Sequence, residues 1–279
     1  TEHVLPVRPV RGGAIADVDL AEEMLRRFLR RARARRRIST RPRVVVGVPS
    51  GITEMERRAV RSSATAAGAK QVYMLPEPLA AAIGIGLPVD TPTGNMIVDI
   101  GGGTTEIAVI ALGGIICETS IRIAGDDMDA AIVAYVRKHY GLLIGEPTAE
   151  AAKIELATAI DDGEPRTTSV SGRDLVSGLP RCIELSSDDV REAIREPIRQ
   201  IVAAVTRALE LTPPELAADV VDHGIVMTGG GACIRGIDTL IERRTGVRVR
   251  VDPDPLTSVV RGTAAILDDM PRYRSMLRN

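Results

Sequence analysis

The sequence predicts an α/β protein of two domains, and three observations carry that prediction. Short, wholly apolar runs such as Val44–Val48 and Gly224–Thr228 alternate with segments whose apolar residues recur at helical spacing. The chain has 279 residues, against roughly 150 per domain. Pro88, Pro92 and Gly94 interrupt the pattern between two such blocks, and the domain boundary is placed there. Hydrophobic residues make up 44% of the chain, which is ample for a packed core.

The elements follow in order. Leu20, Met24, Leu25, Phe28 and Leu29 form one helical stripe. Val44–Val48 reads as a buried parallel strand. Thr53, with Glu56 three residues later, has capping-box spacing and opens a helix to about Gly68. A short strand at Val72–Leu75 leads into an Ala-rich helix at Pro78–Ile85. Met96–Ile100, Thr105–Leu112 and Ile115–Ile121, split by glycine turns, predict a three-stranded antiparallel meander. Helices are expected at Asp126–Tyr140 and Thr148–Ala159, then strands at Arg166–Val170 and Arg181–Leu185. A long helix from Ser187 to Leu211 carries Pro197 inside it, where a kink or a first turn is expected. The strand Gly224–Thr228, a helix at Ile237–Thr245, a strand at Val247–Val251 and a helix at Leu256–Asp268 complete the chain.

Composition excludes several functions. The 36 basic and 37 acidic residues nearly cancel, and aromatics are only 2%, so no nucleic-acid partner is expected. The charge-free stretches Pro78–Val89 and Ile107–Cys117 are shorter than the roughly 20 residues of a membrane span. Cys117, Cys182 and Cys233 stand apart, which suits a reduced cytosolic protein with neither disulfides nor a zinc site. Charge is uneven locally: Arg26–Arg43 holds ten arginines and no acid. That segment is either a solvated helix end or a patch for an anionic membrane face.

Four motifs could carry chemistry. In Asp99-Ile100-Gly101-Gly102-Gly103-Thr104-Thr105, side-chain-free backbone can approach a phosphate, and Asp99 at a strand end can hold a hydrated Mg²⁺. Thr228-Gly229-Gly230-Gly231-Ala232 is a strand-to-helix turn fit for phosphates or for packing against adenosine, although alone it is weak. Neither G-x-G-x-x-G nor the Walker A pattern occurs. Glu77, between Pro76 and Pro78, is rigidly aimed and could orient an attacking water, but by itself reads as a first-turn acid. Glu150 and Lys153 share a helical face and by themselves are an ordinary i,i+3 pair.

Taken in this order, these residues resemble the actin–Hsp70–sugar kinase superfamily, and within it the MreB group of bacterial actin homologues. Arg8-Pro9, Gly13–Asp17, Val45–Thr53, Val98–Glu106, Ser120–Asp126 and Met227–Gly236 carry the resemblance over almost the whole chain. It implies an actin-like two-domain fold with ribonuclease-H-like sheets that close on ATP and Mg²⁺. Domain I would be residues 1–90, joined by a returning segment 255–279, and domain II residues 91–254, with a small subdomain at about 146–185. Asp99, Gly101, Gly102, Gly103 and Thr104 would form the second phosphate loop, with Asp99 toward the metal. Glu77 would position the hydrolytic water, Glu150 and Lys153 would flank the adenosine, and Gly229, Gly230, Gly231 and Ala232 would close the site.

The family forms ATP-dependent filaments beneath the inner membrane that organise cell-wall synthesis and rod shape. The implied partners are therefore further copies of the chain, the anionic membrane through Arg26–Arg43, and membrane proteins of the elongation machinery. The implied location is cytoplasmic, peripheral at the inner face of the membrane. Three departures stand out. No D-x-G-T turn is found before the strand at Val44, so the resemblance implies a domain I lacking its first phosphate loop. A nucleotide-binding scaffold with little turnover is then the alternative to an ATPase. The segment Arg35–Ser39 offers Ile38 among arginines, where relatives insert apolar side chains, and Ala151 and Ala152 replace larger residues near the adenine. A metabolite kinase would need inserts and a catalytic Asp that the chain does not offer.

Overall fold

A computed structural model describes residues 7–36 and 41–277. The first lobe begins with a hairpin, β1 (Val10–Arg11) and β2 (Ala14–Ile15). Helix α1 (Val18–Arg36) follows, then β3 (Arg43–Val48), α2 (Glu54–Ala66), β4 (Gln71–Pro76) and α3 (Glu77–Ile85). The capping box is present: Thr53 accepts from the Glu56 N–H, and the Glu56 carboxylate accepts from the Thr53 N–H at 2.8 Å. β3 is parallel, as predicted, and pairs with β4, but it is less buried than its sequence suggests. Only Val48 is fully enclosed, because β4 is the only strand bonded to it among the described residues.

In the second lobe β5 (Asn95–Ile100), β6 (Thr105–Ala111) and β7 (Gly114–Ile121) form the predicted meander. Then come α4 (Gly125–Tyr140), β8 (Leu142–Leu143), α5 (Glu146–Leu156), β9 (Thr167–Asp174), β10 (Pro180–Ser186) and α6 (Ser187–Leu211). The chain continues through α7 (Pro214–His223), β11 (Ile225–Thr228), a 3-10 turn at Gly230–Cys233, α8 (Ile237–Thr245) and β12 (Val249–Val251). It ends in α9 (Ser258–Asp268), α10 (Met270–Tyr273) and a 3-10 turn at Arg274–Met276. β8, β9 and β10 make a small antiparallel sheet.

The main sheet has the order β12-β11-β5-β6-β7, with β6 running opposite to the other four strands. This is the ribonuclease-H-like order. Both faces are covered. Met96, Val98, Ile100, Ile107 and Val109 point into the core under α4 and α6. Ile97, Ala108 and Ile110, one residue out of phase, point into a second core with α3 and α9. α9 also packs on β3, so the last long helix returns to the beginning of the chain.

α7 has no counterpart among the predicted elements; Pro214 occupies its first turn, where no N–H is needed. The hairpin β1–β2, the two-residue β8 and the short α10 carry too few residues for periodicity to register. β12 starts at Val249, two residues later than expected. Pro197 sits buried inside α6, which continues through it. The predicted membrane segment Arg35–Ser39 falls mostly on residues 37–40, outside the described residues. Among the described residues, no helix is long and apolar enough to cross a membrane.

Candidate functional site

The two glycine turns meet. β11 and β5 are adjacent and parallel, with Thr228 opposite Asp99, so both turns leave the same carboxyl edge of the sheet. Ligands of open α/β sheets bind at such edges. The first turn is closed by the Gly101 N–H donating to Thr104 O at 2.9 Å. The turn's carbonyls are taken by α4: the Gly125 N–H donates to Gly101 O at 3.2 Å and the Asp126 N–H to Gly102 O at 2.7 Å. Among the described residues, the N–H groups of Gly102, Gly103 and Thr104 find no protein acceptor, nor do those of Gly230 and Gly231. Free N–H groups at successive positions of a turn can form an anion cradle.

The glycines have separable causes. Gly229 has φ +81°, and a Cβ on it would lie 2.3 Å from Ile100 O and 2.4 Å from Asp99 Oδ1. Gly231 packs on the Ile100 side chain, and Gly103 lies against the Gly12 backbone. These three are required by packing within the protein. Gly102 and Gly230 are different: the nearest atom to an added Cβ would be 3.7 Å and 3.5 Å away, respectively. Their lack of side chains keeps the turns clear for a ligand.

Three carboxylates gather beside the first turn. Asp99 is only 7% exposed, and burial, with the Glu106 charge second, raises its pKa from the ordinary 3.8 to about 6. Glu77, at the first turn of α3, is raised from 4.5 to about 7 by burial and then by the Asp99 and Glu106 charges. Its neighbourhood explains the desolvation: it borders a cavity of about 230 Å³ lined by Ile15, Met24, Val46 and Pro49 among others. Glu106, which sequence reasoning missed, is also raised, chiefly by burial. It accepts from the Ser50 N–H at 3.2 Å and from Ser120 Oγ at 2.7 Å, fastening the β3–α2 loop to β7. A charged residue inside the otherwise apolar run Thr105–Ala111 was the available signal.

This donor set fits a hydrated Mg²⁺. Among the described residues, no three His, Cys, Asp or Glu side chains are placed to cage a metal ion. Mg²⁺ commonly takes one or two carboxylates and fills its remaining positions with water and phosphate oxygens. A cation there would relieve the mutual repulsion that raises Asp99 and Glu77.

Helix α5 links the two turns. Near its end Lys153 Nζ donates to Gly125 O at 3.0 Å, at the base of the first turn, and pairs with the buried Asp129 carboxylate at 2.9 Å. Just past the helix, Thr158 bridges Arg235, and the Ala159 N–H donates to Arg235 O at 2.8 Å, holding the segment that follows the second turn. Glu150, one turn before Lys153, is engaged by Arg8 at 3.1 Å. Ala232 lies in the 3-10 turn and is buried. Behind β11, Thr228, Ser258 and Asp252 form a buried polar network that the half-exposed Arg261 joins through Asp252, with Ser258 Oγ 2.5 Å from Asp252 and from Thr228 Oγ1. Sequence reasoning named Thr228 but not its partners, because Asp252, Ser258 and Arg261 lie beyond the next helix and strand and carry no motif. A larger cavity, about 770 Å³, lies at Arg43, Arg61, Tyr73, Met270 and Arg274 and includes none of the predicted nucleotide-site residues.

A ribonuclease-H-like sheet with two glycine turns at one edge, a returning C-terminal helix and a carboxylate cluster defines an actin-like protein. The family model described as MreB/Mbl protein matches residues 1–275. The chain is 49% identical over 266 residues to the cell shape-determining protein MreB of Escherichia coli K12, covering 95% of this chain and 77% of that one. It is 44% identical to the cell shape-determining protein Mbl of Bacillus subtilis, covering 97% and 81%. Among solved structures, MreB5 of Spiroplasma citri bound to ADP superposes with a TM-score of 0.89 at 35% identity, covering 96% and 80%. The same protein bound to AMPPNP gives 0.88 at 34% identity, covering 96% and 80%. The chain belongs to the MreB/Mbl family.

Proposed function

We propose that this chain binds ATP with Mg²⁺ at the carboxyl edge of β5 and β11 and polymerises into actin-like filaments that organise cell-wall synthesis and cell shape. The observation that carries the reading is the juxtaposition of the two glycine turns, with five N–H groups beside Asp99 that lack acceptors among the described residues. Support also comes from Spiroplasma MreB5, which binds ADP and AMPPNP. Two lobes, residues 1–90 with 255–279 and residues 91–254, would close over the nucleotide, with 146–185 forming a small subdomain of the second.

In this reading Gly101–Thr104 and Gly229–Gly231 cradle the phosphates, Ala232 helps close the site, and Glu150 and Lys153 flank the adenosine. Asp99 would hold a hydrated Mg²⁺, which would supply charge neutralisation at the phosphate oxygens. Glu77 orients and deprotonates the attacking water. Glu77→Gln is expected to lower phosphate release on the order of a hundredfold while leaving nucleotide affinity within a factor of about two. Phosphate-release and titration measurements on one preparation check this, and unchanged turnover would remove Glu77 from the mechanism. ATP-dependent pelleting without any phosphate release by the unsubstituted chain would favour the scaffold alternative.

The filaments are placed at the cytoplasmic face of the cell membrane, together with membrane proteins of the elongation machinery. Helix α1 supports this: Phe28, the only Phe of the chain, is 59% exposed beside the exposed Arg27, Arg30 and Arg31. Each basic residue near an anionic surface contributes about 1 kcal/mol. Replacing Arg35, Arg36 and Arg37 by Glu is therefore expected to reduce co-sedimentation with anionic vesicles, most clearly at low salt. Undiminished binding would make the segment a solvated face.

A further inference from the structure

Arg8 enters the sequence reading only through the family resemblance, yet the fold gives it a specific place. It precedes the β1–β2 hairpin, whose Gly12 backbone lies so close to the first glycine turn that a Cβ on Gly103 would come within 2.6 Å of Gly12 Cα. From there its guanidinium spans two acids of the second lobe. Nη1 donates to Asp126 at 2.7 Å, and Nη2 donates to Glu150 Oε2 at 3.1 Å. Asp126 opens α4, and its N–H supports Gly102. Glu150 stands on α5, one turn before Lys153. A single planar fork therefore ties the helix under the first glycine turn to the helix that carries the adenosine-facing carboxylate. Lysine, a point charge on a flexible stem, cannot hold both in fixed directions.

The fork does little for stability. The side chains of Arg8, Asp126 and Glu150 are 43%, 43% and 45% exposed, and exposed pairs contribute little. Its effect is on where Glu150 points: without it, that half-exposed side chain samples several rotamers. Among the described residues, no protein donor reaches Glu150 Oε1. An ionised carboxylate only accepts hydrogen bonds, and the hydroxyls of a ribose are donors.

We infer that Arg8 is a positioning residue for nucleotide recognition, holding the Glu150 carboxylate by one oxygen so that it is preorganised to accept the ribose hydroxyls. The inference rests on the proposed nucleotide site. The cavity of about 280 Å³ that Arg8 lines with Gly103, Arg122, Asp126 and Glu146 sets it at the rim of that site. Preorganised contacts discriminate between ligands more sharply than mobile ones.

The test is calorimetric titration of the full chain with Mg²⁺ and ATP, 2′-deoxy-ATP or 3′-deoxy-ATP. The ratio of affinities is independent of the folded fraction. The unsubstituted chain is expected to prefer ATP over at least one deoxy analogue by about tenfold. Arg8→Ala and Arg8→Lys are both expected to cut that preference to below about threefold, with the analogue bound as by the unsubstituted chain. If Arg8→Ala weakens all three nucleotides equally, or binds ATP more tightly, the inference is overturned: Arg8 would be a general electrostatic contact or a competitor for Glu150. Glu150→Gln separates the levels. If it keeps the full preference, the assignment of Glu150 to the site falls, and this inference with it. If it loses the preference while the Arg8 variants keep it, this inference alone falls.

Discussion

Asp99→Asn is expected to abolish Mg²⁺-dependent nucleotide effects while making the nucleotide-free protein more stable at pH 8. Both changes come from one carboxylate. Asp99 is enclosed at the end of β5 with Gly229 against its Oδ1, and it shares its surroundings with Glu106 and Glu77. Ionising it there costs free energy, and its pKa rises from 3.8 to about 6. The sign follows from linkage. Between these two values the folded chain keeps a proton that the unfolded chain has released, so stability falls as pH rises through that window. Above pH 6 the cost is fully present, on the order of 3 kcal/mol. Glu77, raised to about 7, extends the decline toward neutrality.

Asparagine removes the charge and keeps the shape. Melting curves from pH 4 to 8 should therefore be flatter for Asp99→Asn than for the unsubstituted chain, and higher at the alkaline end. ATP-dependent pelleting should cease. A variant that pellets with ATP as before would remove Asp99 from the site. A variant no more stable at pH 8 would show that the carboxylate is not under electrostatic strain.

The largest loss of stability is expected where α3 crosses α9. A Cβ on Gly84 would lie 2.0 Å from Ser258 O, and one on Gly262 would lie 1.8 Å from Ala80 O. The two backbones touch through these glycines, and no rotamer can relieve a clash with a carbonyl oxygen. Gly84→Ala or Gly262→Ala must force the helices apart and open the core formed by Leu79, Ala80, Ile83 and Ile266. A loss of about 3 kcal/mol or more is expected in chemical denaturation, at the upper end of overpacking effects. Gly86→Ala is a comparison at which no atom lies within 4 Å of an added Cβ. It carries only the penalty of φ +83°, about 1 kcal/mol. Equal losses at Gly84 and Gly86 would mean that the crossing is looser than described.

This crossing also joins the two halves of the site. α3 carries Glu77 at its start, and α9 begins at Ser258, within the network that holds Thr228 at the second glycine turn. The Gly229 N–H donates to Pro255 O at 3.0 Å, three residues before α9. A displacement of the second turn would reach Glu77 through two helices in direct backbone contact.

Much of this was legible in the residues. The capping box at Thr53 and Glu56, the meander from Asn95 to Ile121 and the helix Ser187–Leu211 depend on local spacing, and local spacing is what a sequence displays. Asp99 and Gly101–Gly103 were visible for the same reason: the charge and the glycines lie within five residues. Glu77, Glu150, Lys153 and the second glycine turn carried weak signals of their own and took their roles from the family resemblance. Glu106 and Asp129 were not singled out, and Arg8 entered only through the family resemblance, because what marks all three is a partner that folding supplies. Gly84 and Gly262 gave no sign of each other across 178 residues of chain.

Order along the chain determined the α/β class, most element boundaries and the family. Those follow from period, caps and contiguous motifs, which act over a few residues. Only the tertiary structure decided which carboxylates share a desolvated corner, which glycines serve packing and which leave room for a ligand, and which cation holds Glu150. Such properties depend on groups brought within a few ångströms by folding, where burial and Coulomb interaction become strong, and spacing along the chain carries no record of them.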